Sequence, residues 1–468
     1  MAYRLEEPSG VSTPMSENHH PQGLLPREDE LGLLTDLYEL TMAAGYYVHG
    51  MADWPATFEL WVRRLPPRRN FLVAAGLEQA VHFLQHLSFS EAQIEYLRQY
   101  PTFRHVPASW FDSLREFRFC GEVWAVPEGT VVFAGEPLLR ITAPLAQAQI
   151  VETYLMTTLT FQTLIASKAA RVVLAAQGRS VVDFGSRRAH GPQAGLLAAR
   201  AAFLAGCSGT SNTEAARLLN IPAVGTQAHS WIMAFPGEIE AFRAFGQVFP
   251  EVGTLLVDTY DTLQGVRHAL QASVPMRAIR LDSGDLLTLS RESRRLLDEA
   301  GRQDVRIIAS GDLNEYRIHE LVSSGAPIDM FGVGTELVTS RDEPSLNTVY
   351  KLVELHTPRG VVGTLKTSPQ KQTFPYAKQV YRRRDSSGMF LEDWVGRHEE
   401  KLPGEPLLVP IMQQGRLLQP LPDLQSIQQH CHSQLSCLPA HLRDLEPTPQ
   451  PYPVHFSATL QSTHVGEA

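Results

Sequence analysis

Apolar residues follow three different rhythms along the chain. From Leu33 to Leu87, two stretches, LLTDLYELTMAAGYY and GLEQAVHFLQHL, repeat apolar positions at helical spacing, and between them Ala56 to Val62 alternates as a strand does. From Phe117 to Thr142, FRFCGEVWAVPEGTVVFAGEPLLRIT is rich in β-branched and aromatic residues broken by Gly and Pro, which predicts antiparallel strands joined by tight turns. Beyond about residue 150 the text becomes short apolar runs, each followed by polar turn residues and a helical pattern: VVDF (181–184), AVG (223–225), TLLVD (254–258), AIRLD (278–282), VRIIAS (305–310) and MFGVG (330–334). Two of the helices are sharply defined: Leu286, Leu289, Leu296 and Leu297 form one stripe that stops at Gly301, and LNEYRIHELVSSG ends on Gly325 in the same way.

Continuous apolar strands alternating with helices imply a parallel sheet, and six of them in one run favour a (β/α) barrel, complete or incomplete, over an open sheet. After Val349 the mixed strands VYKLVEL, KQVYRRR and LLVPIM, interleaved with Pro and Gly, are expected to rejoin the first, α+β unit. The resulting division is a disordered N-terminal arm over 1–28, an α+β domain over 29–149 plus about 350–420, a barrel over 150–349, and a C-terminal helix with a Pro-rich tail over 421–468.

Composition narrows the function more than the fold. With 468 residues, 43% hydrophobic and 19% charged, the chain can build a large core, and its net charge of -9 offers no global positive field for nucleic acid or an anionic membrane surface. Four scattered cysteines suit a reducing cytoplasm rather than a disulfide framework. The N-terminus lacks the apolar core of a signal peptide, and the longest apolar stretch, near Gly195 to Gly206, contains Arg200 and falls short of the ~20 residues a bilayer requires.

In a barrel, chemistry gathers in the loops that follow the strands. Those loops carry Gly185-Ser186-Arg187-Arg188, Thr226 and His229, Asp258 and Asp261, Asp282-Ser283-Gly284-Asp285, Gly311-Asp312, and Gly334-Thr335, a Gly-rich turn whose amides could cradle phosphate. Singly, each has a plain structural reading: Asp285 as a helix N-cap, the arginines as solvated, the glycines as turn residues. Together they place guanidinium, imidazole and carboxylate on one rim, which fits an anionic substrate accompanied by a divalent metal.

At these residues the sequence resembles the nicotinate phosphoribosyltransferases, from Leu33 to about Leu460. The motifs are LTDLYELTM (34–42), DFGSRRAHG (183–191), GTSN (209–212), VGTQAHSW (224–231), VDTYDT (257–262), IRLDSGDL (279–286), FGVGTELVTS (331–340), PSLNTVYKLVE (344–354) and KQVYR (378–382). The resemblance implies an irregular (β/α) barrel with an open-faced α+β sandwich built from N- and C-terminal segments, assembled as a homodimer whose sites are shared between subunits. It implies a reaction in which nicotinate and phosphoribosyl pyrophosphate give nicotinate mononucleotide and pyrophosphate, the first step from nicotinate to NAD, driven by ATP and assisted by magnesium.

It also implies roles. Phe184 and Tyr38, the latter from the partner subunit, sandwich the pyridine ring, and Arg187 meets the nicotinate carboxylate and the ribose phosphate. Thr226 lies at the substrate. His229 takes the phosphoryl group of ATP, with Asp258 accepting a hydrogen bond from its other nitrogen. Arg280 and Asp282 hold the pyrophosphate side and the ribose hydroxyls, and Gly334 and Thr335 bind the 5′-phosphate. Ser211 stands where relatives that use nicotinamide carry an aspartate, and a neutral residue there favours the acid. Gly311 departs from relatives that have asparagine, leaving backbone contact or Asp312 to serve; the magnesium ligands are not implied residue by residue. Quinolinate as the base would need a second basic pocket and no phosphorylated histidine, and a non-catalytic relative would have lost one of Arg187, His229, Asp258 or Asp282. The segment His430-Cys431-His432, with Cys437 and His441, lacks paired zinc spacing and is expected to be a surface helix.

Overall fold

The computed structural model describes residues 28–366 and 373–466. The arm expected over 1–28, with His19 and His20, therefore lies outside the described residues except for Glu28.

Two large sheets organise the chain. The first is antiparallel and contains seven strands in the order Gly360–Gly363, Thr348–Thr357, Pro55–Val62, Pro137–Pro144, Glu122–Ala125, Val409–Gln413 and Arg416–Leu417. Segments from both ends of the chain thus share one sheet, with Phe58 set between Ile141 and Leu352. The second sheet has six strands, all parallel, in the order Gly209–Thr210, Ser180–Asp183, Met330–Val333, Arg306–Ala309, Ala278–Leu281 and Thr254–Leu256. Among the described residues its two edge strands do not pair with each other, so the expected barrel is here a parallel half-barrel sheet.

The run AVG accounts for the opening. Instead of a strand, it forms a single parallel bridge between Thr210 and Ala223. Pro222, which has no N–H, only accepts from Thr210, and Val224 donates back to Thr210. Beyond that point the side-chain oxygen of Gln227 accepts from Leu256 N at 3.4 Å, where a further strand would have used its backbone. The sheet instead recruits Gly209–Thr210, a strand too short for any periodic signal.

A further four-stranded sheet joins Glu405–Pro406, Lys378–Arg384, Phe390–Arg397 and Val454–Phe456. The last of these corrects the expected Pro-rich tail: after the helix Leu424–Ser436, the chain returns as a strand parallel to Phe390–Arg397 and closes with the helix Ala458–Gly466. On the first of these helices His430 faces the Thr130 hydroxyl at 3.0 Å, while Cys431 is buried and His432 exposed. No described helix is long and apolar enough to cross a membrane.

The helix Glu152–Ala175, free of Gly and Pro over 24 residues, ties the two cores together. Leu155, Leu159 and Leu164 pack under the antiparallel sheet, whereas Ile165, Ala169, Ala170 and Val172 pack against the half-barrel. The same helix carries two buried cations. Lys168 lies 2.6 Å from Glu315 and 2.8 Å from Asp342, and Arg171 lies 3.1 Å from Glu315. Arg69 completes the cluster at 2.7 Å from Asp342. Burial alone would raise the Asp342 carboxyl, but Arg69 and Lys168 outweigh it and hold it well below the usual carboxylate range. The cluster clamps the turn after Arg306–Ala309, which leads to Glu315, against the turn after Met330–Val333, which leads to Asp342.

The helix Leu37–Val48 presents Leu37, Tyr38 and Met42 outward and buries Glu39 completely. The Glu39 carboxylate accepts from Thr153 N at 3.0 Å, and from the Thr153 and Thr35 hydroxyls. Burial nevertheless pushes its pKa up to about 7, with the nearby Glu152 adding to the rise and the threonine hydrogen bonds opposing it.

Two outcomes follow for stability. Glu315→Ala leaves three buried cations with one shared carboxylate fewer and should lower the unfolding free energy by about 3–5 kcal/mol in a urea titration; a loss under about 1 kcal/mol contradicts the clamp. For Glu39 the folded-state pKa lies above the unfolded one, so its contribution is full at pH 4 and is lost as pH rises from about 4.5 through 7. Glu39→Gln should therefore gain on the order of 2 kcal/mol on the wild type between pH 5 and 8, and parallel pH–stability curves would rule this out.

Candidate active site at the strand ends

The C-terminal ends of the parallel strands meet along one rim, and strand geometry decides which side chains reach it. Arg280 and Asp282, two residues apart, point to one face, while Leu281 between them is buried on the other. The parallel register pairs Arg280 with Ile308 and Leu281 with Ala309, which sets Ser310 beside Asp282. Ser310, fully buried, accepts from Arg280 Nε at 2.7 Å and donates to Asp282 Oδ1 at 2.5 Å. Arg280 Nη2 also donates to Asp282 Oδ1 at 2.5 Å, and Nη1 reaches the Thr226 hydroxyl at 3.0 Å. Burial raises the Asp282 pKa, but the Ser310 hydrogen bond and the Arg280 charge outweigh it, leaving the carboxyl ionised and below its ordinary range.

The same guanidinium spans the Phe184 ring, its central carbon 5.4 Å from the centroid. Phe184 follows Ser180–Asp183 and donates its N–H to Val333 O at 2.8 Å. A glycine at 332 is required: a Cβ there would lie 2.3 Å from the Phe184 ring. The preceding residue, Asp183, is buried, accepting from Gly185 N and the Thr210 hydroxyl, each at 2.8 Å, and burial raises its pKa. Ser211 N donates to Asp183 O at 2.8 Å, which holds the exposed Ser211 at the rim next to Phe184. Arg187 lies in the short 3-10 turn Ser186–Arg188, exposed and with no ion-pair partner among the described residues.

His229 begins the short helix His229–Met233 with its ring part-exposed. Its Nδ1 lies 3.2 Å from the Thr259 hydroxyl, and its Nε2 lies 3.7 Å from Asp282 Oδ2. The expected hydrogen bond from His229 to Asp258 is not formed. Asp258 is turned toward the next strand, where one oxygen accepts from Asp282 N and the Ser283 hydroxyl, each at 2.8 Å, and the other is buried without a partner among the described residues. Asp258 thus braces the backbone that carries Asp282.

Gly311 has φ +83°, and a Cβ there would come within 1.8 Å of Asp282 O. The backbone at this position seals against the Asp282 strand end, and Asp312 is exposed beside it. Gly334 caps the short helix Thr335–Val338 that follows Met330–Val333, with Thr335 half-buried at the rim. Asp285 takes its plain reading: its carboxylate caps the helix Leu286–Glu299 by accepting from Leu287 N.

One chain therefore brings together Phe184, Ser211, Thr226, His229, Asp258, Arg280, Asp282 and Gly311, with Arg187, Gly334 and Thr335 on adjoining turns. It does not bring Tyr38 to them. Tyr38 projects from the helix Leu37–Val48, which packs on Leu145–Ile150 in the antiparallel unit, and its neighbours are Glu152 and Glu39. Sequence reasoning missed Ser310, Thr259 and Asp183. Each lies inside a motif already singled out, at or just past the end of a strand, and taking every polar residue there, small hydroxyls included, would have found them.

The family profiles match in the same order as these elements: the nicotinate phosphoribosyltransferase N-terminal domain over residues 33–160, the nicotinate phosphoribosyltransferase family over 179–384, and the C-terminal domain over 400–464. A nicotinate phosphoribosyltransferase of Mycobacterium tuberculosis is 47% identical over 91% of this chain and 91% of its own. One from Bacillus subtilis is 37% identical over 92% and 94%. The crystal structure of human nicotinic acid phosphoribosyltransferase superposes with a TM-score of 0.83 at 30% identity, covering 93% of this chain and all of that one. Fold and sequence thus agree, and the chain belongs to the nicotinate phosphoribosyltransferase family.

Proposed function

We propose that this rim joins nicotinate to the ribose of phosphoribosyl pyrophosphate, forming nicotinate mononucleotide and pyrophosphate as the first step of NAD synthesis from nicotinate, with ATP hydrolysis coupled through His229. The observation that carries the reading is the succession from Phe184 through Arg280 and Asp282 to His229: an aromatic face lies against a guanidinium, the guanidinium pairs with a carboxylate, and that carboxylate lies 3.7 Å from the imidazole.

The pyridine ring stacks on Phe184, and offset stacking suits an electron-poor ring. Arg187 pairs with the nicotinate carboxylate, and the neutral Ser211 leaves that carboxylate unopposed. The ring nitrogen's lone pair forms the bond to C1 of the ribose as the bond to pyrophosphate breaks, and pyrophosphate departs with the electron pair. Asp282 accepts from the ribose hydroxyls, Arg280 and Thr226 meet the leaving group, and the backbone at Gly311 together with Gly334 and Thr335 borders the phosphates. Stabilising the departing charge and holding the reactants in line supply most of the acceleration. Tyr38 closes the second face of the pyridine from a second copy of the chain in a homodimer. This reading accounts for its exposure, beside Leu37 and Met42, on a helix remote from the rim of its own chain.

Magnesium fits the rim as an escort of pyrophosphate. Asp282 and the unpartnered oxygen of Asp258 are the protein carboxylates that would help to hold it, alongside phosphate oxygens and water. The ion neutralises phosphate charge. A cytoplasmic location suits these substrates and the four free cysteines.

His229→Ala should retain slow synthesis of nicotinate mononucleotide but lose its stimulation by ATP. Steady-state rates with and without ATP check this, and an unchanged stimulation removes His229 from the coupling step.

A further inference from the structure

The two ring nitrogens of His229 meet unlike neighbours. Nδ1 lies 3.2 Å from a neutral hydroxyl, Thr259 Oγ1, whereas Nε2 lies toward the rim, 3.7 Å from Asp282 Oδ2 and beyond hydrogen-bond reach. The carboxylate next to Thr259 in sequence does not bond to the ring: one oxygen of Asp258 accepts from Asp282 N and Ser283, and the other is buried without a hydrogen-bond partner among the described residues. Among the described residues no carboxylate touches Nδ1. We infer that Thr259 is the positioning residue for the phosphoryl transfer: its hydroxyl oxygen accepts the Nδ1 proton and so makes Nε2 the atom that takes phosphate. The inference rests on the phosphohistidine reading given above.

The chemistry follows from which nitrogen carries the proton. An imidazole attacks only through the nitrogen that has a free lone pair, and an unconstrained histidine favours its proton on Nε2, the wrong atom for attack from this rim. A hydroxyl that accepts from Nδ1–H reverses the preference. Threonine suits the task because its branched Cβ restricts rotation and keeps the oxygen in place. In the step itself the Nε2 lone pair forms the bond to the γ-phosphorus, and the bond from that phosphorus to the bridging oxygen breaks. ADP leaves with the electron pair, and the ring keeps its Nδ1 proton against Thr259. Because the hydroxyl is neutral, it does not cancel the positive charge that the phosphorylated ring acquires. The nitrogen–phosphorus bond stays labile, and when water attacks phosphorus the electron pair returns to Nε2. A carboxylate at the same place would stabilise the charged intermediate and slow its discharge.

The test uses the full chain with magnesium and ATP labelled at the γ-phosphate, reading both the initial rate of histidine labelling and the position of the phosphate on the ring. The wild type should label at Nε2 alone. Thr259→Val, which keeps the side-chain volume, should label about ten-fold more slowly and give a mixture of Nε2 and Nδ1 phosphohistidine. Thr259→Ser should restore the rate and the single isomer, a recovery that a purely packing role would not produce. Labelling of Thr259→Val at the wild-type rate and only at Nε2 overturns the inference. Wild-type labelling at Nδ1 overturns it too. Absence of any His229-dependent label in the wild type overturns the phosphohistidine reading and this inference with it, and so separates the two failures.

Discussion

Everything at the rim depends on the contact between Arg280 and Asp282. An arginine and an aspartate two residues apart on a strand share a face, and in a parallel sheet that face opens to solvent only at the strand's end. Paired there, each keeps its charge in a half-buried setting, and Ser310 from the neighbouring strand locks the geometry by bonding to both. Arg280 then faces three ways at once, toward Phe184, Thr226 and Asp282. Without the pair, the aromatic platform and the imidazole would be neighbours with nothing to set their separation. The cost of holding such groups partly away from water is met by hydrogen bonds on every side, and this is the sense in which the rim is preorganised.

The rest of the fold serves that contact from behind. Asp258 fixes the backbone of Asp282, and the glycine at 311 lets the next turn close directly on Asp282 O. The buried cluster of Arg69, Lys168, Arg171, Glu315 and Asp342 ties the turns after two adjacent strands to the long helix Glu152–Ala175. That helix also reaches the core under the antiparallel sheet, so the rim is braced by the unit that carries Tyr38.

Much of this was legible in the sequence, and the exceptions have physical causes. Long periodic segments such as Leu286–Glu299 announced themselves, caps included, because their apolar stripe and terminal Gly301 report on one helix only. Gly209–Thr210 was invisible because two residues carry no period, and AVG was over-read because an apolar triplet does not reveal that Pro222 interrupts its pairing. In the site, charged residues and the histidine stood out by residue type. Thr259 and Ser310 did not, because a hydroxyl at a strand end looks like a turn residue until its partner on another strand is known. The pairing of His229 with Asp258 implied by the resemblance is not formed for the same reason: the residue types did not reveal that one Asp258 oxygen turns to the backbone of the neighbouring strand.

The claim that the base lies on Phe184 beside Ser211 is tested most directly by the ratio of kcat/KM for nicotinate to that for nicotinamide, measured in the wild type and in Ser211→Asp with ATP and magnesium present. A carboxylate at 211 repels the nicotinate carboxylate and accepts from an amide, so the ratio should favour nicotinate in the wild type and fall at least about ten-fold in the variant. An unchanged ratio in a variant that still turns over would place the base elsewhere and contradict the account.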